Sequence, residues 1–560
     1  MPADNSFIAD QFSLLSKLMD IHGENSFKSK SYSIAAFTID KLPEQVAEIP
    51  PQKLSSVKGI GDSAAKKIME ILQTGKLQLL EDLVNQTPPG VLEMLHIKGL
   101  GPKKIATVWK ELELESMGEL LYACNENRLL LYKGFGEKTQ QNIKESIEFY
   151  LSNIGSYLFS QTEEYALAMK GKMETNFPGE LFLFTGDFRQ HKETIDELAW
   201  VTTAPGIAIQ NFFLQNNYTP QESPTEESIF IGPENIQLHF YHSNANNIYQ
   251  KQFITSCSES FLLQWMQQFP FKDKVYKSEE EIFSDAGVAF IPAYMREKEN
   301  IIAVAEKNQL PDVIQAADIT GIIHSHSNWS DGVNTPEEMA KDAIAKGLQY
   351  LVLSDHSKSA FYANGLQEDR IRAQHAAIDE LNKQMHPFKI FKSIESDILN
   401  DGSLDYGNEI LSTFDIIIAS VHSNLKMNEE KAMMRLMKAI ENPYTSILGH
   451  MTGRLLLSRN GYPVNHQKII DACAANNVVI ELNAHPRRLD IDWRWIDYCL
   501  KKNVLISIDP DAHSVEGYKD TRYGVLVAQK AGVRKEKNLS SFSLHQFEKF
   551  VEEQKAKRIN

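Results

Sequence analysis

At 560 residues, with 42% hydrophobic and 24% charged residues, the chain has ordinary globular composition and is too long for one core, so three or four domains are expected. A formal net charge of −16 excludes a protein that coats nucleic acid by bulk electrostatics, so any grip on DNA must be local. No apolar run reaches the roughly 18 residues a membrane span needs, the start at Met1-Pro2-Ala3 lacks signal-peptide character, and the four cysteines form no C-x-x-C pair; these features predict a cytoplasmic protein without membrane contact, disulfides or a thiolate zinc site.

Residues 1–150 are near neutral, with 17 Lys and Arg against 20 Asp and Glu, and carry helical periodicity. Three loops repeat one pattern: Lys58-Gly59-Ile60-Gly61, Lys98-Gly99-Leu100-Gly101 and Lys133-Gly134-Phe135-Gly136. A G-h-G turn, where h is apolar, points backbone amides outward at a helix N-terminus, where the helix dipole favours a phosphate. One copy is often only a tight turn. Three copies, each preceded by Lys, predict helix-hairpin-helix modules that hold a nucleic-acid backbone without reading its sequence. They divide into a helical DNA-binding domain over residues 1–85 and a second such region over 86–154.

Residues 155–290 mix strand-like runs, such as Leu181–Phe184 and Ile229–Ile231, with polar loops, and predict an α+β domain. A connector follows over 291–317, with a helix-like stretch from Glu299 to Lys307.

From residue 318 onward apolar strands alternate with helices. Seven strand candidates (322–324, 350–353, 388–394, 416–421, 446–448, 478–482 and 504–508) predict a parallel α/β barrel, with its chemistry where the strands end. Thr335 as N-cap, Pro336 at the first helical position and Glu338 closing a capping box mark the first barrel helix. Nearly every strand ends in a ligand-type side chain: His324 and His326, Asp331 in the next loop, then His356, Glu395, His422 and His450, and finally Asp511 and His513. Any one alone would read as a hydrogen-bonded core residue. Nine in register predict a metal centre, and imidazoles mixed with carboxylates suit Mn, Zn or Fe. The i, i+2 spacing of His324 and His326 places both rings on one strand face. Closely spaced ions deprotonate a water and clamp a phosphoryl group, so no nucleophilic Ser or Cys is needed.

With these residues in place, the chain resembles the PHP (polymerase and histidinol phosphatase) domain fused to bacterial family X DNA polymerases, over nearly its whole length. The segments Asp355-His356-Ser357-Lys358-Ser359, Ala363-Asn364-Gly365-Leu366, Asp401-Gly402-Ser403-Leu404-Asp405 and Arg522-Tyr523-Gly524 carry the resemblance beyond the ligands. It implies a multidomain protein: a helix-hairpin-helix region with a fingers-like second part, a polymerase-like palm and thumb over 155–290, and a distorted seven-stranded (β/α) PHP barrel over 318–560. It also implies that two or three divalent ions are held, one by His324, His326, Glu395 and Asp511, a second by Glu395, His422 and His450, and a third by Asp331, His356 and His513.

The palm departs from the family pattern. Asp187 stands where the resemblance implies a phosphate-binding Ser, Glu197 and Ala199 where it implies paired aspartates, and Gln237 where it implies the third, with no Asp between Asp196 and Asp273. Nucleotide addition is expected to be lost unless carboxylates such as Glu193 or Glu234 stand in. The expected activity is 3′–5′ exonuclease or end-trimming hydrolysis in repair, by a monomer on duplex or gapped DNA. The alternatives are a phosphatase of a small phosphomonoester and a DNA-binding scaffold. Arg454, Arg488 and Lys358, near the barrel rim, are expected to hold the substrate phosphate; the bland alternative for the arginines is pairing with an acid such as Asp490.

Overall fold

The computed structural model describes residues 4–125, 128–152, 155–232, 235–457 and 460–559. The chain folds into two compact units, Met1–Ile154 and Gly155–Asn560.

The first unit is all helical. Helix α1 (Asn5–His22) starts where the Asp4 carboxylate accepts from the Phe7 amide at 2.8 Å, and ends at Gly23, whose φ of +78° an L-residue rarely adopts. Asn25 caps α2 (Ser26–Asp40) in the same way. Helices α3 (Asp62–Thr74), α4 (Pro102–Lys110) and α5 (Glu137–Ser152) each follow one G-h-G turn. Phe12, Leu15, Ile39, Ile68, Ile105 and Ile143 belong to one continuous apolar core. Contacts span the expected division near residue 85: His22 Nε2 lies 2.7 Å from Thr87 Oγ1, and Lys110 Nζ donates to the His22 carbonyl at 2.7 Å.

The second unit opens with α6 (Phe159–Asn176) and a mixed sheet of β1 (Phe182–Thr185), β2 (Glu197–Thr202), β3 (Thr219–Gln221), β4 (Glu227–Ile231) and β5 (Gln237–His242), in the order β1-β2-β5-β4-β3. Strands β2 and β5 run parallel, with Glu197 opposite Gln237 and Ala199 opposite His239. The period-two alternation buries Leu198, Trp200, Leu238 and Phe240 in one core and leaves Glu197, Ala199, Gln237 and His239 together on the other face. Glu234 lies outside the described residues.

The connector is packed against its neighbours. Ile291, Met295, Ile301, Ile302 and Ala305 pack against Phe253, Trp265 and Phe283, while Ile314 enters the barrel core. The Arg296 guanidinium, wholly buried, bonds Glu279 Oε1 at 2.8 Å.

The remainder is the barrel: β6 (Gly321–Ser325), β7 (Tyr350–Leu353), β8 (Lys389–Asp397), β9 (Ile416–Ser420), β10 (Ile447–Leu448), β11 (Val479–Asn483) and β12 (Ile506–Asp509), all parallel and hydrogen-bonded in sequence order. Strand β9 is buried along its whole length, as a parallel strand covered on both faces requires. The two edge strands approach through a bridge between Ser325 and Ala512, which leaves the barrel nearly closed. The predicted capping box is present at α7 (Pro336–Ala345), where Glu338 N donates to Thr335 Oγ1 at 3.2 Å and Thr335 N to Glu338 Oε2 at 2.8 Å.

Candidate metal centre

Glu395, fully buried near the end of β8, is the hub of the site. Its Oε1 lies 3.0 Å from His422 Nε2, 3.0 Å from His450 Nε2 and 3.3 Å from His324 Nε2. Its Oε2 lies 3.0 Å from His356 Nδ1 and 3.7 Å from His326 Nε2. Asp511 Oδ1 sits 3.1 Å from His326 Nε2 and 3.4 Å from His324 Nε2, and Asp331 Oδ2 sits 3.4 Å from His513 Nε2 and 3.6 Å from His356 Nε2.

All nine predicted ligands are thus brought together. Three groups have donor atoms mutually close enough for one ion: His326, Asp331, His356 and His513; His324, His326 and Asp511; and His356, Glu395 and His422. His326 and His356 each belong to two groups where the expected partition gave them one, and His450 joins the cluster through Glu395. His324 Nε2 and Glu395 Oε2 are buried without a hydrogen bond, and polar atoms so placed fit a cation between them.

His324, in β6, and His326, just beyond its end, do not share the site by simple strand alternation. The pairing of β6 with β7 shifts register between Ile322 and Ser325, and His324 sits in the left-handed region at φ +58°. Asp511 adopts φ +53°. Irregular backbone at the strand ends therefore aims ligands that regular strands would not.

A ring of side chains that sequence reasoning missed holds the ligands. Glu481 Oε2 lies 2.6 Å from His324 Nδ1, while its Oε1 accepts from Asn483 Nδ2 at 2.8 Å and from the His450 amide at 3.2 Å. Asp397 Oδ1 lies 2.5 Å from His422 Nδ1. Asp355 accepts from the Ser327 amide at 2.8 Å, Ser327 Oγ at 2.7 Å and Gln374 Nε2 at 2.6 Å, fixing the loop that carries Asp331. Such carboxylates set which ring nitrogen carries the proton.

Burial opposes charge throughout the site, yet the surrounding imidazoles hold the Glu395 carboxyl well below its ordinary range. Burial is likewise outweighed at His422, which Glu395 and Asp397 push up to about 10, and at His513, which Asp331 helps push up to about 9. His326, surrounded by burial and by His513 and His356, is lowered to about 3.

Of the three cations expected at the rim, Arg488 touches a ligand, with Nε 3.5 Å from Asp511 Oδ2. Arg454 is directed to other partners: Asp492 Oδ2 at 3.0 Å, Glu193 Oε1 at 3.2 Å, and the backbone carbonyls of Arg488 and Leu489. Asp490 is instead occupied by Thr452, whose amide and hydroxyl both donate to it at 2.9 Å. Lys358 Nζ lies 3.6 Å from Glu368 and over the Tyr406 ring.

On the palm-like sheet, Gln237 Nε2 donates to Glu197 Oε2 at 2.8 Å, and His239 lies between Glu197 (3.0 Å from Nδ1) and Glu227 (2.9 Å from Nε2). Lys192 Nζ lies 2.8 Å from Asp187 Oδ1. Glu193, one of the possible stand-in carboxylates, faces Arg454 instead.

In the first unit the three G-h-G turns share one geometry. Gly59, Gly99 and Gly134 have φ of +99°, +85° and +95°, the apolar residues Ile60, Leu100 and Phe135 are buried, and Lys58, Lys98 and Lys133 are exposed. The carbonyls of Gly61, Gly101 and Gly136 accept the first helical hydrogen bonds at 2.8–3.0 Å. Neither Gly61 nor Gly101 can supply a side-chain cap to α3 or α4, and α4 opens on Pro102, which has no N–H to satisfy.

Comparison with known proteins agrees with this geometry. Residues 3–77 match a helix-hairpin-helix domain, 91–148 a SAM-like helix-hairpin-helix tandem, and 323–485 the PHP domain. The chain is 30% identical over 562 residues, 95% of its own length and 96% of the other, to the DNA polymerase/3′-5′ exonuclease PolX of Bacillus subtilis. A probable phosphatase of Caldanaerobacter subterraneus is 26% identical over 29% of this chain and 60% of its own, and one of Acetivibrio thermocellus is 26% identical over 34% and 78%. The PHP domain and its acidic and imidazole clusters support a metal-dependent hydrolase, and the helix-hairpin-helix modules point to DNA. The chain belongs to the PolX family, the bacterial family X polymerases that carry a C-terminal PHP domain.

Proposed function

We propose that the chain is a DNA-processing phosphodiesterase, a 3′–5′ exonuclease or end-trimming enzyme of repair acting on duplex or gapped DNA, whose polymerase chemistry is lost. The observation that carries this reading is the gathering of eight further metal-type side chains with buried Glu395, in a chain with three G-h-G turns of like backbone geometry. Two or three divalent ions of the Mn, Zn or Fe type, when bound, polarise the phosphoryl group and lower the pKa of a coordinated water. His324, His326, Glu395 and Asp511 would hold one, Glu395, His422 and His450 a second, and Asp331, His356 and His513 a third.

The chain's own residues do the rest. Glu481 and Asp397 keep His324 and His422 in the tautomer that leaves Nε2 free for an ion. Arg488, beside Asp511, meets a non-bridging phosphate oxygen. Lys58, Lys98 and Lys133, with first-turn backbone amides of the helices that follow (from Lys103 onward after Gly101, since Pro102 has no N–H), grip the DNA backbone without sequence preference. On the palm-like face, Glu197 is engaged by Gln237 and His239, and Ala199 offers no oxygen, so the carboxylate pair that magnesium needs is missing.

Relatives named as probable phosphatases match 29% and 34% of the chain, which keeps phosphomonoester hydrolysis as the competing reading. Purified protein with Mn²⁺ should shorten 3′-labelled and 5′-labelled oligonucleotides from the 3′ end, and hydrolyse a nitrophenyl phosphomonoester far more slowly. The reverse order of rates would assign the site to a small phosphomonoester.

A further inference from the structure

Outside the ligand cluster, buried charge concentrates where the palm-like layer meets the barrel. Glu193 lies in the turn before β2, in the segment resembling a polymerase palm, yet its carboxylate reaches across to Arg454 at 3.2 Å and both side chains are mostly buried. Arg454 in turn donates from Nε to the Arg488 carbonyl at 2.9 Å and from NH2 to the Leu489 carbonyl. Arg488 then lies 3.5 Å from Asp511 Oδ2, and Asp511 Oδ1 lies 3.1 Å from His326 Nε2. An unbroken series of contacts thus runs from a palm carboxylate to a ligand of the metal centre.

We propose that Glu193 is a positioning residue for hydrolysis: by clamping the Arg454 guanidinium it fixes the backbone of residues 488 and 489, and so the direction in which the Arg488 side chain meets the substrate phosphate. The inference rests on the role given to Arg488 under Proposed function. A guanidinium is a rigid planar fork, so its several acceptors constrain one another. Without Glu193, the remaining carboxylate is Asp492, which Arg494 also engages at 3.1 Å, and the fork turns toward it. A shift on the order of 1 Å at a group contacting the reacting phosphate is enough to cost up to about 100-fold in rate. The palm-like layer then retains a task in the barrel's reaction that needs no metal of its own.

The test is a double-mutant cycle on the full-length, metal-loaded protein, with Mn²⁺-supported hydrolysis of a 3′-labelled oligonucleotide as the readout. Glu193→Ala should lower kcat roughly 10- to 100-fold with KM and metal content unchanged, and Glu193→Gln, whose amide oxygen still accepts from Arg454, should recover most of the rate. In an Arg488→Ala background, Glu193→Ala should produce no further loss. Should Glu193→Ala fail to fold, Arg454→Lys, which cannot hold two carbonyls and a carboxylate together, takes its place in the cycle with the same expectation. Losses that multiply in the double variant, or a fall explained by lost metal, overturn the proposal. An impaired Arg488→Ala protein beside a fully active Glu193→Ala protein sinks the positioning role alone, whereas a fully active Arg488→Ala protein sinks the role of Arg488 on which it rests.

Discussion

Glu481→Gln changes one atom and leaves volume and burial almost untouched, so its effect isolates the hydrogen bonds it disturbs. In the native site Oε2 faces His324 Nδ1 at 2.6 Å, and Oε1 accepts from Asn483 Nδ2 and the His450 amide at 2.8 and 3.2 Å. An amide has one accepting and one donating end. If its oxygen serves Asn483 and His450, its NH2 meets His324 Nδ1, which must then accept, and the ring proton moves to Nε2, where it blocks a metal bond. If the amide flips, two buried donors face its NH2. Either arrangement leaves a buried donor or acceptor mismatched, at a cost of about 1–3 kcal/mol, which corresponds to roughly 5- to 150-fold in metal affinity. Titration of metal-free protein with Mn²⁺, followed by calorimetry and by DNA hydrolysis, should show the midpoint raised by that factor and most of the rate restored at saturating metal. A Glu481→Gln protein that loads metal at the parental midpoint would refute the assignment of His324 Nε2 as a ligand atom.

His324→Ala and Asp511→Ala should each reduce Mn²⁺-supported DNA hydrolysis below detection while circular dichroism stays native, because each removes an ion contact and not a DNA contact; parental rates with full metal content would disprove the assignment. Primer extension with Mg²⁺ or Mn²⁺ and four nucleotides should give no product, and templated extension by a His324→Ala protein would show that Glu197 still supports polymerisation. In the first unit, Gly61→Val and Gly101→Val should weaken duplex binding about 10-fold or more, the size of one lost charge-assisted hydrogen bond, with nitrophenyl phosphodiester hydrolysis unchanged; both positions have φ near −80° and open space around an added Cβ. Gly59→Val is unsuitable for that measurement, since its Cβ would lie 2.2 Å from Thr38 Oγ1 at φ +99°.

The barrel was legible because most of its strands are short, largely apolar runs and nearly every one ends in or beside a ligand-type residue, a pattern local in sequence. Asp397 was within reach of the same reasoning: it stands two residues after Glu395 on one strand, the spacing that singled out His324 and His326. Glu481 was not, because Val479–Asn483 looks like any buried strand until the barrel brings it 157 positions back to His324. Likewise the family resemblance located Glu197 and Ala199, but not His239 opposite Ala199, which depends on the register of β2 against β5. The partners of Arg454 were the least legible, since Glu193 lies 261 residues away in another layer.

The left-handed backbone at His324 and Asp511 has an evolutionary reading. Each position costs a side-chain-bearing residue on the order of 1–2 kcal/mol, which glycine would not incur. The two side chains thus stand at positions where stability alone would favour glycine. A barrel of this type released from catalysis would be free to drift toward glycine at both sites and to grow more heat-resistant as it did so. Glycine at either position should therefore raise thermal stability while removing a metal-type donor, a trade that thermal denaturation of His324→Gly and Asp511→Gly would read directly.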